Sequence, residues 1–264
     1  MVRVIRLKEY LQQVNVAVAK SPPMIHSTSA HRLIDIIGSG KLLAMPCNVF
    51  AGDKLCYCFL GRPAYKGPSV ESPSEWQLPI AFVLRFHQPP PIKRVFPFDS
   101  GAFLASGRLP SYITCFKLDG YDISGDPNNI GRLISFFFKS TERYVGRRAA
   151  GYEELKEEHN LDMRHQEVLA VARLFQEHSS ARCDDRSAAI EMQIEADITL
   201  AKDNLLGVVI PEEFKRTPGL MQALKSIAGH VQTYPHFPLG TQEHFRQLSP
   251  AATAATTRSR RSRE

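Results

Sequence analysis

The chain has 264 residues, of which 43% are apolar and 23% are charged. This composition is typical of a globular protein, and the length allows one large domain or two small ones. No apolar run approaches the roughly 18 residues that a membrane-spanning helix needs. Charges interrupt the N-terminal segment MVRVIRLKEYLQQ too often for a secretory signal, so we expect a cytoplasmic protein without membrane contact.

The formal net charge of +6 has two sources. The tail TTRSRRSRE carries four arginines and one glutamate, so it supplies +3 and the rest of the chain supplies the other +3. We predict a disordered basic tail over residues 251–264, because no aromatic residue separates its arginines as a stacking platform for single-stranded nucleic acid would require. Weak attraction of the tail to phosphate is the alternative.

The cysteines favour reduced thiols over a disulfide framework, because their number is odd in a chain of this length. They are Cys47, Cys56, Cys58, Cys115 and Cys183. Cys56 and Cys58 have the spacing that points two side chains to one face of a strand. No second Cys-x-x-Cys or His-x-x-x-His pair completes a set of four ligands, so the sequence predicts no metal site.

The first third of the chain mixes predicted helices and strands. A helix-like segment within residues 1–20 precedes the strand PMIHST. The segment SAHRLIDIIGSGKLLA then predicts a short helix that ends at Gly38 or Gly40. Two apolar strands follow, KLCYCFL and LPIAFVLRF, and the second is typical of a buried strand.

The rest of the chain completes an α+β pattern. Residues 87–131 are rich in proline, glycine, aspartate and asparagine, which predicts a loop-rich insertion. Helical periodicity returns in NNIGRLISFFFKSTERYV and DMRHQEVLAVARLFQEHS, and again in GLMQALKSIAGH. The segment SAAIEMQIEADITL predicts a strand whose polar face carries Glu191, Gln193 and Glu195, and LLGVVIP and VQTYPHF predict two more strands. We therefore predict one domain over residues 1–250, with a mixed sheet core and flanking helices.

Three polar residues stand out at or near the ends of predicted strands. His26 precedes the first glycine-terminated helix, Arg62 follows KLCYCFL in a Gly-Arg-Pro turn, and Glu191 lies on the late strand. Taken singly, each has an ordinary structural explanation. These are a hydrogen-bonded packing histidine, an arginine that caps carbonyls or pairs with a carboxylate, and a solvated strand face.

In combination, these residues resemble a known family. The segments MIHSTSAHRLIDIIGSGKLLA, KLCYCFLGRPAYK and DDRSAAIEMQIEADITLAKDNLLGVVIP, in that order, resemble the ADP-ribosyltransferase fold, most closely the DarT-like nucleic-acid ADP-ribosyltransferases. His26 and Thr28 match the family's first strand, Arg62 its Arg-Ser-Pro-like turn, and Glu191 its late-strand glutamate. The turn here is Gly-Arg-Pro, and Arg186 lies five positions before the glutamate, which is further than the usual spacing in that family.

The resemblance implies a mono-ADP-ribosyltransferase that uses NAD and modifies a nucleic-acid or protein acceptor, as a toxin or a phage-defence effector. Breaking the nicotinamide bond leaves an oxocarbenium-like ribose, which needs a carboxylate near its hydroxyls and fixed positive charge near the diphosphate. Glu191 would hold the ribose 2′-hydroxyl or take a proton from the nucleophile, with Gln193 and Glu195 as its nearest competitors. Arg62 would face the phosphates from a turn that its proline restrains.

The resemblance also implies contacts between NAD and residues of the first two motifs. His26 and Thr28 would contact the nicotinamide ribose. Tyr57 or Tyr65 would stack on the nicotinamide, although aromatic residues at strand spacing also serve as core packing.

Two other functions remain open. The net charge, the tail and the cluster of Arg143, Arg147 and Arg148 are compatible with a non-catalytic nucleic-acid- or partner-binding module on the same fold. An NAD-dependent RNA 2′-phosphotransferase would share the fold, but it needs several basic residues around the acceptor phosphate. A serine or cysteine hydrolase is disfavoured, because the sequence lacks a nucleophile-elbow pattern and Cys115 has no assignable base.

Overall fold

The computed structural model describes residues 3–64, 70–105, 107–177, 185–237 and 239–261. The chain divides into two compact units, where the sequence predicted one domain over residues 1–250. Unit 1 takes the described residues within Met1–Pro22, Lys93–Arg182 and Arg186–Met192. Unit 2 takes those within Pro23–Ile92, Cys183–Asp185 and Gln193–Glu264.

Helices and strands are numbered in chain order. The strands are β1 (Met24–Ser29), β2 (Lys41–Leu42), β3 (Met45–Pro46), β4 (Lys54–Leu60), β5 (Pro79–Leu84), β6 (Ile92–Phe96), β7 (Glu191–Ile194), β8 (Ile198–Thr199), β9 (Leu205–Pro211) and β10 (Val231–Tyr234). The α-helices are α1 (Leu7–Gln13), α2 (Leu33–Ser39), α3 (Ser100–Leu104), α4 (Ser111–Thr114), α5 (Asn128–Phe138), α6 (Thr141–Val145), α7 (Tyr152–Glu158), α8 (Gln166–Glu177), α9 (Leu220–Ile227) and α10 (Thr241–Arg261). Within the described ranges, no helix combines the length and the apolar composition needed to cross a membrane.

A mixed sheet forms the centre of unit 2. Its strand order is β10-β9-β5-β1-β4, and β3 pairs with β4. Strands β10 and β9 are parallel, whereas the other pairs are antiparallel. Strands β2 and β8 form a separate two-stranded sheet. The predicted α+β class with a mixed sheet and flanking helices is therefore confirmed, and the ADP-ribosyltransferase fold itself stays a prediction.

Strand β5 is buried on both faces of this sheet. Ile80, Phe82 and Leu84 belong to one core cluster, whereas Ala81 and Val83 belong to another. Successive side chains of a strand point to opposite faces, so each cluster lies on its own side of the sheet. This explains why LPIAFVLRF is apolar at nearly every position, as predicted for a buried strand.

Helix α10 covers one of these faces of the sheet. The sequence predicted disorder over residues 251–264, whereas the structure is helical there up to Arg261. The helix continues to Arg261, and residues 262–264 lie outside the described residues. Its apolar side chains recur at helical spacing, which buries them against the cluster that contains Ala81 and Val83. The helical residues of this cluster are Phe245, Leu248, Ala251 and Ala252.

The predicted loop-rich insertion over residues 87–131 holds more regular structure than expected. It contains β6, α3, α4 and the start of α5. Pro97, Gly107, Pro110 and Pro127 lie between these short elements, so they mark the ends of helices and strands and do not exclude them.

Unit 1 is built from helices around an aromatic core. Phe136, Phe137 and Phe138 of α5 are all buried. The ring of Tyr10 from α1 meets Phe136 edge-on at 5.2 Å, and the ring of Phe175 from α8 lies 5.3 Å from Phe137. Edge-to-face contacts of this kind add to the stabilisation that the buried area provides.

Helix α5 also approaches the chain after α1 so closely that Gly131 has no room for a side chain. A Cβ atom at Gly131 would lie 2.5 Å from the carbonyl oxygen of Ala19 and 2.5 Å from Cγ1 of Val18. We expect Gly131→Ala to lower the free energy of unfolding by about 1–3 kcal/mol, as overpacking does. Urea unfolding followed by circular dichroism measures this change.

The control is Gly38→Ala in α2, where a Cβ atom meets nothing within 4 Å. Because alanine favours a helix over glycine, this substitution should leave stability unchanged or raise it by up to about 1 kcal/mol. Equal losses in the two variants would contradict the close approach at Gly131.

Candidate functional site

Unit 2 contains a cavity of about 600 Å³. This volume lies within the range of about 300–1,000 Å³ that small-molecule sites occupy. Its walls come from β1, the 3₁₀ turn after β1, α2, the segment around β2, and β4. Three residues predicted to contact NAD line it, namely His26, Thr28 and Tyr57.

The register of β1 and β4 determines which side chains meet at this cavity. Ile25 pairs with Phe59 in an antiparallel ladder. His26 follows Ile25 in β1, and Cys58 precedes Phe59 in β4, so both residues are next to this pair. Cys56 lies two positions before Cys58 in β4, so both thiols point to the same face of the sheet.

His26, Cys56 and Cys58 form a compact cluster, in which the ligand atoms all lie within 4.8 Å of one another. Nδ1 of His26 lies 3.9 Å from Sγ of Cys56 and donates to the carbonyl oxygen of Tyr57 at 2.8 Å. Cys56 is 1% exposed and Cys58 is fully buried. The sequence prediction recognised the Cys-x-Cys pair but missed the histidine, because it lies on the neighbouring strand, 30 residues from Cys56.

The cluster changes how its members ionise. The hydrogen bond from Cys58 lowers the pKa of Cys56 to about 5, and the charge of His26 acts in the same direction against the effect of burial. The same hydrogen bond, with burial, raises the pKa of Cys58. Burial by itself would lower the pKa of His26, but the charge and hydrogen bond of Cys56 raise it overall. The lowered pKa favours the thiolate form of Cys56, which is the form that attacks electrophiles and binds metals.

We expect the Cys56 thiolate to persist down to a pH of about 5. The ultraviolet absorbance of the thiolate, measured in chelator-containing buffer as the difference between wild type and Cys56→Ser, should rise with a midpoint near that pH. Cys58→Ala removes the hydrogen bond that lowers this pKa most, so it should move the midpoint upward.

The control for this titration is Cys115→Ser, which changes an exposed cysteine of unit 1 and should leave the midpoint in place. A wild-type midpoint at the ordinary cysteine pKa of about 8.5 would contradict the ionisation of the cluster.

The rim of the cavity carries two cations that sequence reasoning did not select. Arg32 and Lys41 both line it, and both are exposed. Asp35 is the acidic residue among the described lining residues, so positive charge is in excess. A planar guanidinium and an ammonium in this position suit a phosphate-bearing ligand. The signal in the sequence was the position of Arg32, three residues after the end of β1.

Arg62 and Tyr65 stand apart from these lining residues. Arg62 lies in the predicted tight turn, where Gly61 has a φ of 61° and the backbone N–H of Arg62 donates to Leu60. Only 1% of Arg62 is exposed, and it is not among the described residues that line the cavity. Tyr65 lies outside the described residues.

Glu191 belongs to unit 1, where it is fully buried at the start of β7. Its Oε1 accepts a hydrogen bond from Oγ of Ser100 at 2.7 Å. Ser100 begins α3, which Asp99 caps by accepting a hydrogen bond from the backbone N–H of Gly101 at 2.8 Å. The Glu191 carboxylate is thus held by the Ser100 hydroxyl, and the capped helix α3 fixes the position of that hydroxyl.

The ordinary alternative for this strand, a solvated polar face, does not hold for Glu191 and Gln193. Both are fully buried, and Glu195 is exposed just after the strand ends. Alternation of polar and apolar residues normally indicates one face in water. Here each buried polar group must be offset by hydrogen bonds, because burial of a bare charge is costly.

The cluster of Arg143, Arg147 and Arg148 is partly engaged in local structure. The guanidinium of Arg143 donates to the carbonyl oxygens of Arg148 at 3.2 Å and Ala149 at 3.3 Å. Arg147 has a left-handed backbone with a φ of 57°. Arg143 therefore stabilises the chain after α6, which makes the cluster a weaker candidate for binding phosphate.

Comparison of the chain with protein-family models, with curated proteins and with solved structures found no match. The structure brings His26, Thr28 and Tyr57 to one cavity of unit 2, holds Arg62 buried in the same unit, and holds Glu191 buried in unit 1.

Proposed function

We propose that this protein is an NAD-dependent mono-ADP-ribosyltransferase. The observation that carries the proposal is the cavity of unit 2, because its lining brings together His26, Thr28 and Tyr57, the residues that the family resemblance assigns to NAD. A volume of about 600 Å³ suits the nicotinamide riboside half of that molecule.

The charge at the cavity supports the same ligand. NAD brings a diphosphate, and Arg32 and Lys41 are exposed cations that line the cavity. The sequence-based assignment of this role to Arg62 would require the turn after β4 to open, because that side chain is buried. We therefore assign the direct phosphate contacts to Arg32 and Lys41.

In the proposed reaction NAD supplies an activated ribose whose bond to nicotinamide breaks. His26 and Thr28 orient the ribose, and Tyr57 presents a ring to the nicotinamide. The family resemblance assigns the role of general base to Glu191, which is buried in unit 1 and is not among the described residues that line the cavity. Gln193 has no basic group, and Glu195 lies after the end of β7, so Glu191 is the candidate that the family resemblance favours.

The acceptor is proposed to be a nucleic acid or a protein, as for a toxin or a phage-defence effector. The formal charge of +6 favours nucleic acid, since positive charge attracts phosphate and increases the rate of encounter.

Release of nicotinamide from NAD tests this function, with DNA, RNA and cell protein supplied as acceptors. We expect Glu191→Gln to lower turnover by about 10²–10⁴, the usual contribution of a general base. The amide oxygen of Gln can still accept the hydrogen bond from Ser100, so this variant should remain folded. Arg32→Ala should raise KM for NAD more than it lowers kcat, because it removes a contact made before the reaction.

The matched control is Lys54→Ala, which removes an exposed cation of β4 that is not among the described lining residues. Full turnover in a folded Glu191→Gln protein would overturn the catalytic assignment. A wild-type protein that neither turns over NAD nor gains thermal stability from it would overturn the function, and salt-dependent nucleic-acid binding in its place would favour the non-catalytic module. Release of a 2′-phosphate from RNA in the presence of NAD would favour the phosphotransferase.

A further inference from the structure

The cluster of His26, Cys56 and Cys58 offers two sulfur donors and one nitrogen donor at one place. The described residues contain no other group of three or more His, Cys, Asp or Glu side chains that could hold a metal. Thiolate and imidazole are the ligands that zinc binds in proteins, whereas magnesium and calcium prefer oxygen.

We propose that His26, Cys56 and Cys58 form a binding site for a Zn²⁺ ion, with the fourth coordination position open to the cavity of unit 2. This site goes beyond the proposed transferase function and does not depend on NAD.

The spacing of the donor atoms supports this site. Zinc–sulfur bonds of about 2.3 Å and zinc–nitrogen bonds of about 2.0 Å set tetrahedral ligand atoms about 3.5–3.8 Å apart. Nδ1 of His26 and Sγ of Cys56 are 3.9 Å apart, and no pair in the cluster exceeds 4.8 Å. The largest separation that this bound allows exceeds the tetrahedral spacing by about 1.0–1.3 Å. Small changes in side-chain torsion angles, with loss of the hydrogen bond from His26 to Tyr57, would close the ligands around the ion.

The sheet holds the three ligands in advance. Cys56 and Cys58 belong to β4 and His26 belongs to β1, and these strands are paired in the sheet of unit 2. Preorganised ligands lose little conformational entropy when the metal binds.

The open coordination position follows from the lining of the cavity. His26 and Cys56 line it, whereas Cys58 is fully buried behind them. A water molecule or a small ligand from the cavity would complete the tetrahedron, which is the arrangement of three protein ligands and one exchangeable ligand found in catalytic zinc sites.

Binding changes the protonation of the cluster in a defined way. Zinc is bound by two thiolates and a neutral imidazole, so a protonated thiol loses its proton to solvent. The Nδ1 proton that His26 now donates to Tyr57 goes to solvent if the ring is an imidazolium, and moves to Nε2 if the ring is neutral. The carbonyl oxygen of Tyr57 then needs another donor, such as water.

A disulfide between Cys56 and Cys58 is a poorer use of the same pair. Two residues apart in a strand, their Cα atoms are separated by about 6.6 Å from the strand rise, near the upper limit of about 6.8 Å for disulfides. Strain in such a bond makes it easy to reduce, so free thiols are favoured.

Cobalt titration of the chelator-treated, reduced full-length protein tests the zinc site. We expect one Co²⁺ per chain, with a thiolate-to-cobalt charge-transfer band and the visible spectrum of tetrahedral cobalt, both abolished by Zn²⁺. Cys58→Ser should reduce the charge-transfer band, and His26→Gln should weaken zinc affinity by at least about tenfold. Cys47→Ser and Cys115→Ser remove free cysteines outside the cluster and should change neither quantity.

A second measurement uses the wild-type chain, in case the buried variants do not fold. Zn²⁺ should slow alkylation of Cys56 and Cys58 and leave Cys115 unaffected, as read by mass spectrometry. Cobalt binding without a charge-transfer band, a band that requires Cys47, or labelling that zinc does not slow would each overturn the proposal. NAD is absent from every arm, so failure of the transferase function would not affect these results.

Discussion

Strand β5 is buried on both faces, and this burial fixes the register of the sheet in unit 2. Because alternate side chains enter two separate cores, a slip of one residue would exchange Phe82 with Ala81 and empty one core while overfilling the other. The register with β1 is thereby held, and His26 pairs with Phe82. The same face of the sheet carries Cys56 and Cys58, so packing of the core decides the geometry of the cysteine–histidine cluster.

Buried polar groups have two different roles in this protein, and burial does not distinguish them. Glu167 is fully buried in unit 1, where it accepts hydrogen bonds from the backbone of Leu7 at 3.0 Å and from the side chain of Arg6. That carboxylate anchors the start of α1, which is a structural task. The carboxylate of Glu191 is equally buried and accepts from the hydroxyl of Ser100. Its proposed catalytic role therefore depends on the family resemblance and on the NAD assay.

His26 takes part in both proposals, through different atoms of one ring. Nδ1 faces Cys56 and the carbonyl oxygen of Tyr57, which leaves Nε2 for a hydroxyl of a bound ribose. Zinc at Nδ1 would withdraw charge from the ring and occupy the base of the cavity. Metal content is thus a quantity to control in any measurement of NAD turnover.

Local patterns in the amino-acid sequence were sufficient for much of the fold. The apolar runs at Lys54–Leu60 and Leu205–Pro211 predicted β4 and β9 at the observed residues, because continuous burial requires continuous apolar sequence. The sequence did not predict helix α10, because the arginines at the end of the chain indicated disorder. The apolar residues before them recur at helical spacing and pack into the core. The family resemblance selected His26, which lines the cavity, and did not select Arg32, which lines it as well.

Sequence patterns did not predict which strands pair or how deeply each side chain is buried. Periodicity specifies which face of an element a residue occupies, and it carries no information about the neighbour across that face. The pairing of β1 with β4 brought His26 to two cysteines. The packing of the chain around β7 turned an apparent solvated edge into a buried carboxylate at Glu191. Both outcomes depend on long-range packing, which sets the cost of leaving a polar group without water.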